Sequence, residues 1–364
     1  MYFDPRPKTK KEDLFNREKE LKQFKDVLTY ASIIVVTGLR RTGKTSFVDV
    51  ALSETDYPSV FLDMRDLPVV PSRVEVIRKI ETAFNKLSRK WLSQLSDTLK
   101  HVKGVNLVGG SITFDWGEKG VDLATLFDKI DSWVKHNNQR FLIAFDEIQL
   151  IRGDKSIPRL FARIADVNQN IVIILTGSEI GLLYDFLQFD NPESPLYGRH
   201  YVEIKMHNFN PEEAKTFLKK GFKQINITCP SEVIEYAIEK LDGVVGWLTL
   251  FGAKCRDTRE CNKQTVNDVL DEGGKLARTE ALKIVKFSPR YGIILNLLST
   301  VQKASWKKIK TGIELHEKRS LPSSTFTDLL NKLVKTSLIE KENGEYRIAD
   351  PLLSHGITKE PFKE

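Results

Sequence analysis

One octapeptide, Gly38-Leu39-Arg40-Arg41-Thr42-Gly43-Lys44-Thr45, constrains this chain more than any other feature. It fits the Walker A pattern G-x-x-x-x-G-K-[ST], follows the apolar run Ile33 to Val36, and opens a helical pattern from Thr45 to Ser53. The glycines let the backbone curl until successive N–H groups face one anion, and the helix behind turns its positive dipole end to the same point. The loop predicts a phosphate site built from Gly38, Leu39, Arg40, Arg41, Thr42, Gly43, Lys44, Thr45 and Ser46. Lys44 is expected to reach β- and γ-phosphates, and Thr45 to offer its hydroxyl to Mg²⁺. A strand in front and a helix behind commit the surrounding residues to an α/β sheet.

The neighbouring sequence agrees. Short β-branched runs recur at Ile33 to Thr37, Ser59 to Asp63, Phe141 to Phe145, Ile171 to Thr176 and Tyr201 to Lys205. They are continuous rather than alternating, which predicts strands buried on both faces. Helical patterns lie between them, over Glu18 to Tyr30, Thr45 to Ser53, Pro71 to Lys100, Asp122 to Asn137 and Ile157 to Asn168, and the alternation predicts a parallel sheet. The second and third runs are far apart. Residues from about 69 to 121 read as an insertion, with a helix to Lys100 and a hairpin over Gly104 to Trp116.

Beyond Pro211 the text turns helical: Pro211 to Gly221, Ser231 to Leu241, Gly243 to Cys255 and Val266 to Lys286. The last segment has three helical patterns, Tyr291 to Thr300, Trp306 to Gly312 and Ser323 to Thr336, then two short strands around Asn343-Gly344, a strong hairpin signal. Three helices and a hairpin make a winged helix-turn-helix pattern. The expected domains are a core over 1–208, a helical lid over 209–286 and a winged helix over 287–364.

The second half of a phosphate site is a carboxylate at the end of a neighbouring strand. In Phe145-Asp146-Glu147, Asp146 is the expected Mg²⁺ ligand through water and Glu147 the expected general base for an attacking water. Thr176 and Ser178, after the next apolar run, either orient water near the γ-phosphate or cap the helix that follows. Arg199 either stabilises charge as an arginine finger or is a solvated surface residue.

These residues resemble the archaeal ATPase family, P-loop ATPases of the AAA+ and STAND kind related to origin-recognition initiator ATPases. The resemblance rests on Phe15-Asn16-Arg17-Glu18-Lys19-Glu20-Leu21, the Gly38 to Thr45 loop, Phe145 to Gln149, Thr176-Gly177-Ser178, Pro195 to Arg199 and Asp350-Pro351-Leu352-Leu353. It implies an α/β P-loop NTPase parallel sheet as an AAA+-like core, with an α-helical lid and a C-terminal winged helix. It implies ATP or ADP with Mg²⁺ as ligands, and slow hydrolysis of ATP whose nucleotide state sets the arrangement of lid and winged helix. Phe15 and Arg17 are then expected beside the adenine, with a lid contact at Val245, where the family commonly has proline. Thr176 or Ser178 would be the sensor hydroxyl and Arg199 would lie near the nucleotide of its own or a neighbouring subunit. A non-hydrolysing switch or a DNA-binding regulator is the alternative.

Charge bears on the partner. Lys and Arg number 56 and Asp and Glu 49, a net of +7. Between Ala281 and Ser320 stand Lys283, Lys286, Arg290, Lys303, Lys307, Lys308, Lys310, Lys318 and Arg319 against Glu314 and Glu317, so that stretch carries the whole excess. Double-stranded DNA on the winged helix suits that charge, with Ser323, Ser324 and Thr325 at the bases. The other reading is a winged helix that docks on the core or on a protein partner, its lysines solvated. Three cysteines without a C-x-x-C pair suit a reducing compartment better than a disulfide framework. The longest apolar stretch, Gly243 to Ala253, is too short for a membrane span, and a cytoplasmic protein is expected.

Overall fold

The apolar runs do form one parallel sheet in the computed structural model, which describes residues 1–108, 110–115 and 120–363. Along the chain run α1 (Glu18–Val27), β1 (Ile33–Thr37), α2 (Lys44–Ser53), β2 (Ser59–Asp63), α3 (Arg73–Phe84), α4 (Arg89–Leu99), β3 (Val105–Val108) and β4 (Ser111–Phe114). Then come α5 (Leu123–His136), β5 (Phe141–Asp146), α6 (Ser156–Val167), β6 (Ile171–Gly177), α7 (Ile180–Leu187) and β7 (Val202–Lys205). The strand order is β2-β5-β6-β1-β7, every neighbouring pair parallel.

Alternate residues of each inner strand face opposite apolar clusters. Ile33, Val35, Ile143 and Ile173 meet Ile80, Phe127 and Phe161 from α3, α5 and α6, while Ile34, Val36, Ala144 and Ile174 meet Phe24 and Phe47 from α1 and α2. Every residue of β1, β5 and β6 is buried, as continuous apolar runs require. The outer strands correct that expectation. In β2 only Val60 and Leu62 are buried and in β7 only Ile204, because an edge strand lacks cover on its open side.

The single helix expected over Pro71 to Lys100 is two. It breaks at Asn85 to Ser88, where the Asn85 amide turns to the hairpin, donating to Ile112 O at 2.7 Å and accepting from Ile112 N at 2.9 Å. The β3–β4 hairpin is present, while Gly109 and Trp116 of the expected range lie outside the described residues. Phe84 of α3 stacks edge-on against Phe114 and Phe141, so this segment covers one face of the sheet.

Four helices follow: α8 (Pro211–Gln224), α9 (Ser231–Leu241), α10 (Val245–Thr258) and α11 (Lys263–Val285). Phe3, from the start of the chain, is fully buried among them. A Cβ on Gly221 or Gly252 would lie 2.2 or 2.3 Å from its ring, so the ring needs glycine on both sides. Here the cysteine expectation is corrected: Cys229 and Cys261 form a disulfide between the α8–α9 and α10–α11 loops, with Cα atoms 5.4 Å apart. Their 32-residue separation spans α9 and α10 and carries no spacing signal.

The chain ends in α12 (Pro289–Val301), β8 (Ala304–Ser305), α13 (Trp306–Glu317), α14 (Ser323–Lys335), β9 (Ile339–Glu342), β10 (Glu345–Ile348) and α15 (Pro351–Lys359). The β9–β10 turn uses Asn343 and Gly344, both at positive φ, as a two-residue hairpin requires. Helix α15 returns to lie on α11 so closely that a Cβ on Gly356 would sit 2.3 Å from Gly274 O. One apolar cluster thus runs from Phe209 to Phe362 through both the helical segment and the winged helix. Among the described residues no helix is long and apolar enough to cross a membrane.

Candidate nucleotide site

Strand β1 ends at Thr37, and the backbone turns at Gly38, whose φ is 152°. A side chain there would drive a Cβ to 2.5 Å from Met206 O, which explains the glycine. Gly43, at φ 89°, caps α2. The curl leaves Lys44 buried, its Nζ donating to Gly38 O at 2.9 Å and Leu39 O at 2.8 Å. Burial pushes the Lys44 ammonium down to about 8, against the opposing pull of Glu147 and Asp146. It is a cation held at some cost where an anion would relieve it.

Strand β5, next but one to β1, carries the acidic half. Asp146 is fully buried; its Oδ2 accepts from Thr45 Oγ1 at 3.0 Å and its Oδ1 from Thr176 Oγ1 at 2.6 Å. Burial raises the Asp146 carboxyl above its ordinary range despite these hydrogen bonds. Glu147 follows in a left-handed conformation, φ 55°, which swings its carboxylate toward the loop. Its Oε2 accepts from Gln149 Nε2 at 2.5 Å, Ser178 Oγ at 2.8 Å and Ser178 N at 3.1 Å, and no described residue donates to Oε1. Burial alone would raise Glu147, but Lys44 and these donors hold it below its ordinary range, ionised.

The expected partners sort into three groups. Lys44, Thr45, Ser46, Glu147 and Ser178 line one cavity with Arg40, Arg41, Gly43 and Arg65. Thr176, expected as a sensor hydroxyl, is fully buried, donating to Asp146 and accepting from Glu147 N at 3.0 Å, so it braces the Asp146 carboxylate and the Glu147 backbone instead of facing the cavity. Arg199 is not brought to the site. It precedes β7, whose far end, Met206, abuts Gly38; because β7 runs parallel to β1, Arg199 lies at the opposite edge of the sheet. There it forks onto Asp166, with Nε to Oδ1 at 2.9 Å and Nη2 to Oδ2 at 2.5 Å.

A second cavity, of about 390 Å³, opens beside the loop between Phe15, Arg17, Thr42, Gly43, Ser46, Val245 and Leu276, with Tyr2 and Phe217 behind. Its aromatic and aliphatic walls suit a base. Arg17 is buried and spends its guanidinium on structure, donating to His207 O at 2.7 Å and pairing with Glu20 at 3.2 Å. The donor set also fits Mg²⁺: Thr45 and Asp146 present hard oxygens, and a buried carboxylate gains from a cation. Among the described residues no cluster of three or more His, Cys, Asp or Glu could hold a metal, so phosphate and water would complete its shell.

With this geometry in place, the comparisons decide the family. Residues 14–251 match the model of an ATPase domain predominantly from Archaea. The chain belongs to that archaeal ATPase family. Residues 286–349 match the MCM protein C-terminal winged helix-turn-helix domain. The Walker-type ATPase PABY2304 of Pyrococcus abyssi is 31% identical over 98% of this chain and 100% of its own, with a TM-score of 0.85. The Aeropyrum pernix ORC2 protein in its ADPNP-ADP complexes shares the fold at 11% identity, over 98% of this chain and 96% of its own, with a TM-score of 0.61. No curated protein matches the chain by sequence.

In this archaeal ATPase-family chain several site contacts escaped the sequence reading. Gln149, wholly buried, orients Glu147. Arg40 pairs with Glu179 at 3.1 Å and with Glu280 of α11 at 3.0 Å. Arg41 pairs with Glu280 at 2.8 Å, lies 4.1 Å from the Trp247 ring centroid and faces Asp350 at 3.7 Å. Asp350 in turn accepts Trp247 Nε1 at 2.9 Å and caps α15. The arginines were legible as loop residues; Glu280 carried no signal, and Asp350 stood in a conspicuous run without an evident role.

Proposed function

We propose that the protein binds ATP with Mg²⁺ and hydrolyses it slowly to ADP and phosphate, and that the nucleotide sets the position of the helical lid and winged helix against the core. The observation that carries this reading is the meeting of Lys44, Thr45 and Glu147 around one cavity, with Asp146 buried behind Thr45 and bonded to its hydroxyl, Lys44 a buried cation and Glu147 an ionised carboxylate. The loop N–H groups and Lys44 bind the phosphates, and Phe15, Val245 and their neighbours take the base. Mg²⁺, held by Thr45 and Asp146, supplies charge neutralisation on the phosphates when bound. Glu147 takes the proton of a water as its oxygen bonds to the γ-phosphorus, while the bond from γ-phosphorus to the bridging oxygen breaks and its electron pair leaves on ADP. Thr176, Ser178 and Gln149 hold the two carboxylates in place for that step.

Core over 1–208, lid over 209–286 and winged helix over 287–364 are the proposed moving parts, the last two sharing a core and moving together. ATP titration of the wild type and Lys44→Ala tests the binding claim. Measurable affinity in the wild type and its loss in the variant are expected; equal affinity would refute the assignment of Lys44.

A DNA-binding role rests on the basic stretch. Lys303, Lys310, Arg290 and Arg319 are spent on Glu342, Glu314 and Glu317. Lys283, Lys286, Lys307, Lys308 and Lys318 have no carboxylate partner among the described residues, and Ser323, Ser324 and Thr325 at the start of α14 are exposed. The wing itself, with Glu340, Glu342 and Glu345 against Lys341 and Arg347, the last paired with Glu340, is a poor phosphate binder. Replacing Lys307 or Lys308 by Ala should each lower the log–log salt slope of duplex binding by about one; binding unaffected by either would remove DNA from the account.

A further inference from the structure

With Arg199 at the far end of the strands, the charge that develops on the γ-phosphate calls for an arginine nearer to Lys44. Arg40 stands where such a group is needed. It lines the same cavity as Lys44, Thr45, Glu147 and Ser178, and its charge acts on both Lys44 and Glu147. It comes from the loop itself, four residues before Lys44, so it needs no second subunit. Its guanidinium is held by two carboxylates from different elements: Glu179, just past β6, and Glu280, on α11.

Resting on the ATPase reading above, we propose that Arg40 is the charge-stabilising residue of this site, acting in cis, and that it contacts the γ-phosphate by giving up Glu280. The two contacts are unequal. Glu179 is itself nearly buried and belongs to the core, whereas Glu280 is more exposed and is shared with Arg41. An arriving γ-phosphate offers a planar guanidinium the same paired acceptors as a carboxylate, with more charge. Glu280 then keeps only Arg41, and α11 loses one of its ties to the loop. ADP, lacking the γ-phosphate, leaves Arg40 on Glu280. The exchange therefore distinguishes ATP from ADP and reports the difference to α11, on which α15 and the winged helix are packed.

The test compares ATP and ADP affinities of the full chain by calorimetry in the Glu147→Gln background, which removes turnover, and phosphate release in the wild-type background. Arg40→Ala should weaken ATP about tenfold more than ADP and slow phosphate release by about a thousandfold. Arg40→Lys, which keeps charge without the fork, should recover part of the affinity and little of the rate. Glu280→Gln removes the competitor and should shift the affinity ratio the other way, toward ATP, which keeps a readout if Arg40→Ala fails to fold. Equal losses of ATP and ADP in Arg40→Ala, an unchanged ratio in Glu280→Gln, or a rate that falls in Arg199→Ala but not in Arg40→Ala would each overturn the assignment. A wild type that binds both nucleotides but releases no phosphate would defeat the hydrolysis reading, and the affinity ratios would still decide Arg40. A wild type that binds neither would sink both.

Discussion

Raising the pH from 7 to 9 should weaken ATP binding about tenfold, and the reason is the state of Lys44. In the protein without nucleotide its ammonium is buried and solvated only by Gly38 O and Leu39 O, and burial brings it down to about 8. At pH 9 only about a tenth of the molecules keep that proton, since each pH unit past the midpoint costs a factor of ten, about 1.4 kcal/mol. A bound triphosphate needs the charged form and stabilises it, so binding at pH 9 must draw a proton from solvent. Calorimetry at pH 9 in two buffers of different ionisation heat should show uptake of about 0.9 proton per ATP, falling toward 0.1 at pH 7. Folding stability moves the opposite way with pH. Because the folded-state value lies below the ordinary one, the penalty for the charged amine is present below about pH 8 and fades as pH rises toward the ordinary lysine range. Affinity that stays flat from pH 7 to 9, with equal heats in both buffers, would refute the placement of Lys44 in a desolvated pocket facing phosphate.

Two further outcomes concern the scaffold. Phe3→Ala should cost about 3–5 kcal/mol in urea unfolding, because it empties a fully buried pocket between Gly221 and Gly252 that cannot close onto two glycines; a loss under about 1 kcal/mol would show that the start of the chain is not part of the helical core. Replacing both Cys229 and Cys261 by Ser should destabilise the protein by about 4 kcal/mol on chain-entropy grounds, the closed loop being 32 residues long; a melting temperature indifferent to reductant would deny the pairing.

What was legible in the sequence follows from how each signal is made. The Gly38 to Thr45 loop could be read because its backbone demands glycine and its chemistry demands lysine whatever surrounds them. The inner strands could be read because burial on both faces leaves a continuous apolar run, while β2 and β7 look alike in composition and owe their exposure to a place at the edge. Of the two readings open for Arg199, arginine finger or surface residue, its pairing with Asp166 at the end of β7 away from the loop favours the second within this chain. The Thr176 hydroxyl faces the adjacent strand end rather than the cavity, a contact that no local pattern records. The pairs Arg40 with Glu280, Trp247 with Asp350 and Cys229 with Cys261 join residues 240, 103 and 32 positions apart. No local pattern records such partners; tertiary packing selects them.

The central claim is that Glu147 activates water beside a nucleotide held by Lys44 and Thr45. Phosphate release from ATP by the purified full chain, wild type against Glu147→Gln, tests it most directly. The account predicts slow but measurable release in the wild type, and a loss of about 10² to 10⁴-fold in the variant with ATP affinity retained. Equal release rates in the two proteins would contradict it.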